Sequence, residues 1–208
     1  MISQTINVCA VGICQFILFS GYQALADLQK TLLVSAHDDN PNFNVDGYTL
    51  SGVLYTSFAI SAFLVPSVIS YIGPRLTMFT GAAFYVATPV AIILENTWLL
   101  YASGVLNGIG AGLIWTAASS YLVLNSTELT LARNMALFWF FYQCGQFPGN
   151  LFTYFAFKHS TVKVDEATRR LVLYVLTGMM ATGLSRICCS EKFPKVKKNQ
   201  TLIRLCKR

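Results

Sequence analysis

Charge is scarce in this sequence. Of its 208 residues only 12% are Asp, Glu, Lys or Arg, and 54% are hydrophobic. Soluble domains carry roughly 25% charged residues, so a soluble core does not explain this chain. Histidine occurs twice, as His37 and His159, and no nucleophile lies near a base, so no catalytic constellation forms and an enzyme is not expected. Six cysteines show no metal-ligand spacing: Cys9, Cys14 and Cys144 fall inside apolar runs, and Cys188, Cys189 and Cys206 lie in a basic tail. Neither a disulfide framework nor a metal site follows. His37-Asp38-Asp39 has no second ligand cluster and reads as solvated loop charge. No cofactor and no nucleic-acid partner is expected. No Asp, Glu, Lys, Arg or His sits in the middle of any apolar run, so the sequence offers no visible means of proton coupling.

Long apolar runs are what the sequence does have. From Trp98 to Leu124 there is no charge over about 27 positions, more than the ~20 a helix needs to cross a bilayer. Gly104, Gly108 and Gly112 recur every fourth residue and form one stripe on a helix face. In water such glycines weaken a helix by up to ~1 kcal/mol each. In lipid they let a neighbouring helix come close, so the stripe is expected to be a helix-packing surface. Gly108-Ile109-Gly110-Ala111-Gly112 lies mid-run with no strand before it, which excludes a nucleotide loop.

Hydropathy places six membrane spans, at about Ile6–Leu25, Tyr48–Ile72, Leu76–Leu94, Trp98–Leu124, Asn134–Phe157 and Leu171–Ile187. The expected fold is all-α and transmembrane: residues 1–187 form a six-span domain and 188–208 a basic cytoplasmic tail. The first residues carry no positive charge, so span one is expected to stay as a signal anchor. An N-terminus inside puts Arg75, Arg133 and the tail's basic residues on the cytoplasmic side, as the positive-inside rule prefers, although the basic loop after span five opposes this locally. Both termini are then cytoplasmic, Lys30 and Arg169 belong to outside loops, and the sequons at Asn125 and Asn199 lie where no glycan is added. The tail fixes orientation and has the charge to hold anionic lipid. Cys188-Cys189 at its edge suits palmitoylation as well as simple packing.

Spans two, three and four are joined by about three residues each, Gly73-Pro74-Arg75 and Glu95-Asn96-Thr97, which forces them to pack as antiparallel neighbours. Val65-Pro66-Ser67 predicts a kink. The loop from span one through Asn40-Pro41-Asn42 to Asp46-Gly47 is expected to be the longest in the chain. Span five carries Gln143, Gln146 and Asn150 within about 60° of one face, beside the breaker Pro148-Gly149. Amides are costly against lipid, so they are expected to face the bundle or a watery cavity. Bonding that glues helices, at ~0.6 kcal/mol each, is the other account. With Gln15, Tyr22 and Gln23 of span one and Asn107 of span four, they make the candidate cavity lining.

Several short motifs, in order over about residues 10–175, carry a resemblance: Asp46-Gly47-Tyr48-Thr49, Pro66-Ser67-Val68, Ile72-Gly73-Pro74-Arg75-Leu76, Ile114-Trp115-Thr116-Ala117, Asn125-Ser126, Arg133-Asn134, Phe138-Trp139 and Gly149-Asn150. The chain resembles the uncoordinated-93-like family (ion-channel regulatory protein type) of the major facilitator superfamily, in its short-loop, orphan facilitator-like branch. The resemblance implies the amino-terminal six-helix half of a twelve-span fold, built from two inverted three-helix repeats. Two departures from the wider superfamily stand out. Ser70-Tyr71 replace the charged pair of the signature between spans two and three, and Gly104 stands where span four often has an arginine.

The resemblance, together with these missing charges, points to a protein that binds and modulates or traffics channels or receptors. A small-solute secondary transporter and a truncated half without transport activity are the other readings. The expected partners are the lipid bilayer, a channel or receptor subunit, and a second six-helix half or a second copy of the chain.

Overall fold

The computed structural model describes residues 2–158 and 164–189, all in helices and short connections. The sequon at Asn199, His159, Cys206 and the tail's basic residues from Lys192 onward lie outside the described residues, as do the side chains of Cys188 and Cys189. Among the described residues the helices are α1 (Ile2–Asp39), α2 (Gly47–Ile93), α3 (Thr97–Leu124), α4 (Leu131–Cys144), α5 (Gln146–Phe157) and α6 (Glu166–Cys189). The fold is all-α and transmembrane in character. Among the described residues, Gln4–Asp39, Gly47–Ile93 and Thr97–Leu124 are each long and apolar enough to cross a membrane.

Helix α2 holds 47 residues, long enough for two crossings at ~1.5 Å per residue. It is broken at Gly73, whose φ of 80° and ψ of 161° are not helical. Those angles lie in a region essentially reserved for glycine. The break makes two limbs, residues 47–72 and 74–93, and Pro74 opens the second at a first-turn position where its missing N–H costs nothing. Pro66 keeps helical dihedrals.

Start signals are chemical as well as hydropathic. Asp46 caps α2 by accepting from the Thr49 N–H at 2.7 Å, and Asn96 caps α3 by accepting from the Leu99 N–H at 3.0 Å. Span five is realised as α4 and α5, divided at Gly145. Pro148 explains the division, because it offers no N–H to the carbonyl four residues back, at Cys144.

Three expectations from the sequence need correction. Helix α1 does not stop near Leu25 but continues to Asp39, leaving only residues 40–46 to reach α2. The charges Asp27, Lys30, Asp38 and Asp39 end a hydropathy window but not a helix, and the chain leaves helical form only just before Pro41. Arg169 is not in a loop; it lies in the first turns of α6, buried at 1% exposure. Consequently charged residues do occur within helices long enough to span, with Asp27 the deepest on α1.

Helix α3 packs against both limbs of α2, while α1 runs between α6 on one side and α4 and α5 on the other. Small residues set these distances. A Cβ on Gly108 would strike the Leu54 carbonyl and lie 2.7 Å from the Ser57 Cβ. One on Gly149 would strike the Ser20 carbonyl of α1, and one on Gly183 would lie 2.6 Å from the Leu18 nitrogen. Helix α1 is thus gripped at mid-length by α5 and α6 through direct backbone approach, the contact that substitutes for a hydrophobic driving force in lipid.

At the far end Asn7 donates to Asn125 at 3.1 Å and Arg133 to Thr5 at 2.9 Å, tying α1 to the α3–α4 connection and the start of α4.

Candidate functional site

Three groups of polar side chains stand out among the described helices, in three places. The first is the bundle interior. Asn107 of α3, 1% exposed, donates at 3.1 Å both to the Tyr22 hydroxyl of α1 and to the Thr88 hydroxyl of α2. Its own Oδ1 has no partner. Aromatic rings surround this node: Tyr22 meets Tyr85 edge-on at 4.5 Å, and Phe19 contacts Tyr85, Trp115 and Tyr142 at 5.1–5.3 Å. Trp115 in turn stacks on Trp139 at 5.6 Å.

Gln15, one turn before Phe19 on α1, is wholly buried, and neither its Nε2 nor its Oε1 reaches a partner. An amide enclosed in this way costs about 1–3 kcal/mol. It marks a place where water or a ligand's polar group would be held.

The second place is a row on the outer surface. Gln146 donates to Gln143 at 3.0 Å, and Asn150, one turn further along α5, donates to the Asp27 carboxylate at 3.0 Å. Gln23 lies one turn before Asp27 on α1 and donates to it at 3.5 Å. Gln143 and Asp27 are exposed, and Gln23, Gln146 and Asn150 are partly so. The span-five amides therefore lie on the outside of the described helices rather than inside the bundle, so the watery cavity, the other expected surrounding, would lie on that outer side.

Asp27 lies ~10 Å past the midpoint of the 38-residue α1 at ~1.5 Å per residue.

The third place is the end of the bundle where α1 finishes and α6 begins. The Arg169 guanidinium donates to Glu95 at 2.8 Å, to Asp39 at 2.5 Å and to the Ser35 hydroxyl at 3.0 Å. Ser35 passes a hydrogen bond on to the Val164 carbonyl at 2.8 Å. One arginine thus joins α6, the end of α1 and the α2–α3 connection, using the forked donor geometry that a lysine lacks. Sequence reasoning missed this cluster because its members are about 74 and 130 positions apart.

Of the seven candidate lining residues, the structure brings Tyr22 and Asn107 together inside. It groups Gln23, Gln143, Gln146 and Asn150 outside and leaves Gln15 alone in the core. Gly104, Gly108 and Gly112 all face the first limb of α2, at Leu50, Leu54 to Phe58 and Ser61.

Comparison with known proteins places this geometry in context. The family model for the ion channel regulatory protein UNC-93 matches residues 42–196. The UNC93-like protein MFSD11 of Xenopus tropicalis is 31% identical over 178 residues, covering 86% of this chain and 39% of the relative. Human protein unc-93 homolog A is 29% identical over 119 residues, 57% of this chain and 24% of the relative. UNC93-like protein 1 of Arabidopsis thaliana is 28% identical over 102 residues, 47% of this chain and 22% of the relative. The chain spans well under half the length of the curated relatives that it matches.

Proposed function

This chain belongs to the UNC-93 family of ion channel regulatory proteins, and from that membership we propose that it binds and modulates or traffics a channel or receptor in the membrane. At the coarser level it is an integral membrane protein of regulator or transporter-like type. The proposal extends to topology: six crossings, both termini cytoplasmic, residues 1–187 as the spanning domain and 188–208 as a basic tail. Two inverted three-helix repeats then make one half of a facilitator-type bundle.

One observation carries the regulatory reading. The row from Gln143 to Asp27 presents amides and a carboxylate on the outside of the bundle, beside a helix long and apolar enough to cross a membrane. Lipid cannot satisfy such groups, so another polypeptide or water must cover them. Affinity capture from native membranes in mild detergent tests this: one channel or receptor subunit should dominate, and recovery of none would count against the reading.

A second reading, a small-solute carrier, is supported by the unpartnered Gln15 amide and Asn107 Oδ1 beside the aromatic cluster. Solute uptake by reconstituted vesicles that is lost on Gln15→Leu or Gln143→Leu would favour it. The inert half is the remaining reading, and neither capture nor uptake would then be seen.

A further inference from the structure

Helix α1 makes its close approaches to α4, α5 and α6, and α3 makes its to the two limbs of α2. Where α1 and α3 face one another, side chains make the joints. Asn7 donates to Asn125 near one end, and the Tyr22 hydroxyl accepts from Asn107 further along. The two helices run in opposite directions. Gln15, between Asn7 and Tyr22 on α1, therefore lies level with about Trp115, between Asn125 and Asn107 on α3. Gln15 and Tyr22 are two turns apart and share a face, and Phe19 between them meets Trp115 at 5.2 Å.

Of these three polar positions on α1, the outer two are bonded to α3 and the middle one is not. Gln15 is 0% exposed, and neither atom of its amide reaches a partner. The side chains buried at its level on α3 are Ile114, Ala117 and Ala118, none of which can bond an amide.

We infer that a bound water is held at Gln15, in the seam between α1 and α3. The seam is enclosed by helices of this chain alone, so no partner is needed to complete it. The inference also needs neither functional reading, because a resident water serves a regulator and a carrier alike.

Three features support the assignment. An amide has four hydrogen-bonding positions, and enclosing it with none filled incurs its whole desolvation cost. Internal waters are held where buried polar groups lack partners, and a water bonds donor and acceptor equally well. Ala117 and Ala118 extend only one carbon from the backbone, and each helix carbonyl keeps a lone pair that its ladder bond leaves unused. Those carbonyls supply the further partners a water takes. No acid or base lies on α1 between Asn7 and Tyr22, so the occupant suited to the seam is small and neutral.

The test is radiolytic labelling of the full chain in lipid nanodiscs, in heavy-oxygen water free of organic solutes. X-rays then turn a bound water into a hydroxyl radical where it sits. Phe19, one turn from Gln15, is 2% exposed, and Phe43, in the other apolar cluster, is 1% exposed and serves as the control. Phe19 should take up heavy oxygen several times faster than Phe43, and Gln15→Met should bring it down to the control rate. Trp139, at 49% exposure, reports bulk water and should label equally in both proteins. A second measurement needs no variant to fold. In the chain with isotope-labelled glutamine, the Gln15 amide protons should cross-relax with water with the sign of a long-held molecule. Those of the exposed Gln143 should show the sign of passing surface water.

Equal labelling of Phe19 and Phe43 overturns the inference. So does an excess at Phe19 that survives Gln15→Met, or a Gln15 amide that shows no cross-relaxation with water.

Discussion

Arg169, at the start of α6, lies 2.8 Å from Glu95, which sits between α2 and α3, and only 1% of the arginine is exposed. Asp39 takes its other nitrogen. Replacing the arginine with methionine removes the cation that Glu95 and Asp39 share. The expected loss is about 3 kcal/mol, the low end for breaking a buried pair, because the Asp39 side chain keeps 31% exposure and rehydrates. Arg169→Lys should recover part of it, and Glu95→Gln should cost less than either. Thermal unfolding of the purified chain in mild detergent measures all three. An unchanged midpoint in Arg169→Met would show that the cluster does not hold the helices together.

Gly108→Ala should be destabilising by about 1–3 kcal/mol, since the new methyl meets the Leu54 backbone carbonyl rather than a flexible side chain. Gly52, also helical, has nothing within 4 Å of the same position, so Gly52→Ala serves as the control. Equal unfolding midpoints for the two variants would contradict close packing of α3 on α2.

At Gly73 a Cβ would also meet nothing within 4 Å, yet the backbone there has a φ of 80°. Any effect of Gly73→Ala is therefore conformational rather than steric crowding by neighbours. About 1–3 kcal/mol is expected. A d-alanine introduced at this position by semisynthesis should relieve it. Failure of the d-residue to differ from the l-residue would argue against this backbone geometry.

Acidification should loosen the first turn of α2. The Thr49 hydroxyl, and then its backbone N–H, hold the Asp46 carboxyl below its ordinary value of 3.8. A depressed carboxyl stabilises the fold above its ordinary value and loses that contribution as pH falls through the lower, folded one. Hydrogen exchange at the Thr49 amide should therefore stay slow near neutrality and lose protection, relative to Asp46→Asn, once the pH drops below about 3.8. Asparagine keeps the cap but does not titrate in this range. Parallel behaviour of the two proteins across that range would sink the prediction.

The apolar segments were legible because hydropathy reports what lipid tolerates, and Gly73-Pro74 marked the turn by chemistry that only those residues provide. The length of α1 was not legible. Asp27 and Lys30 lower hydropathy without opposing helical dihedrals, so the run looked finished a third of the helix too early. The face of the span-five amides was legible as a common face, but not its direction, since helical periodicity relates residues to one another and not to the neighbours they meet. Arg169 was missed for a related reason. An arginine near a helix start reads as solvated until its distant partners, Asp39 and Glu95, are brought to it.

The grip of Gly149 and Gly183 on α1 has a mechanical consequence. With its midsection clasped on two sides by backbone approach, sliding of this helix past its neighbours would bring backbone into backbone. Anything pressing on the shaft near Asp27 would be felt at the opposite tip, where Asn7 and Thr5 hold Asn125 and Arg133. The first helix thus joins the clasp at its middle to the hydrogen bonds at its start.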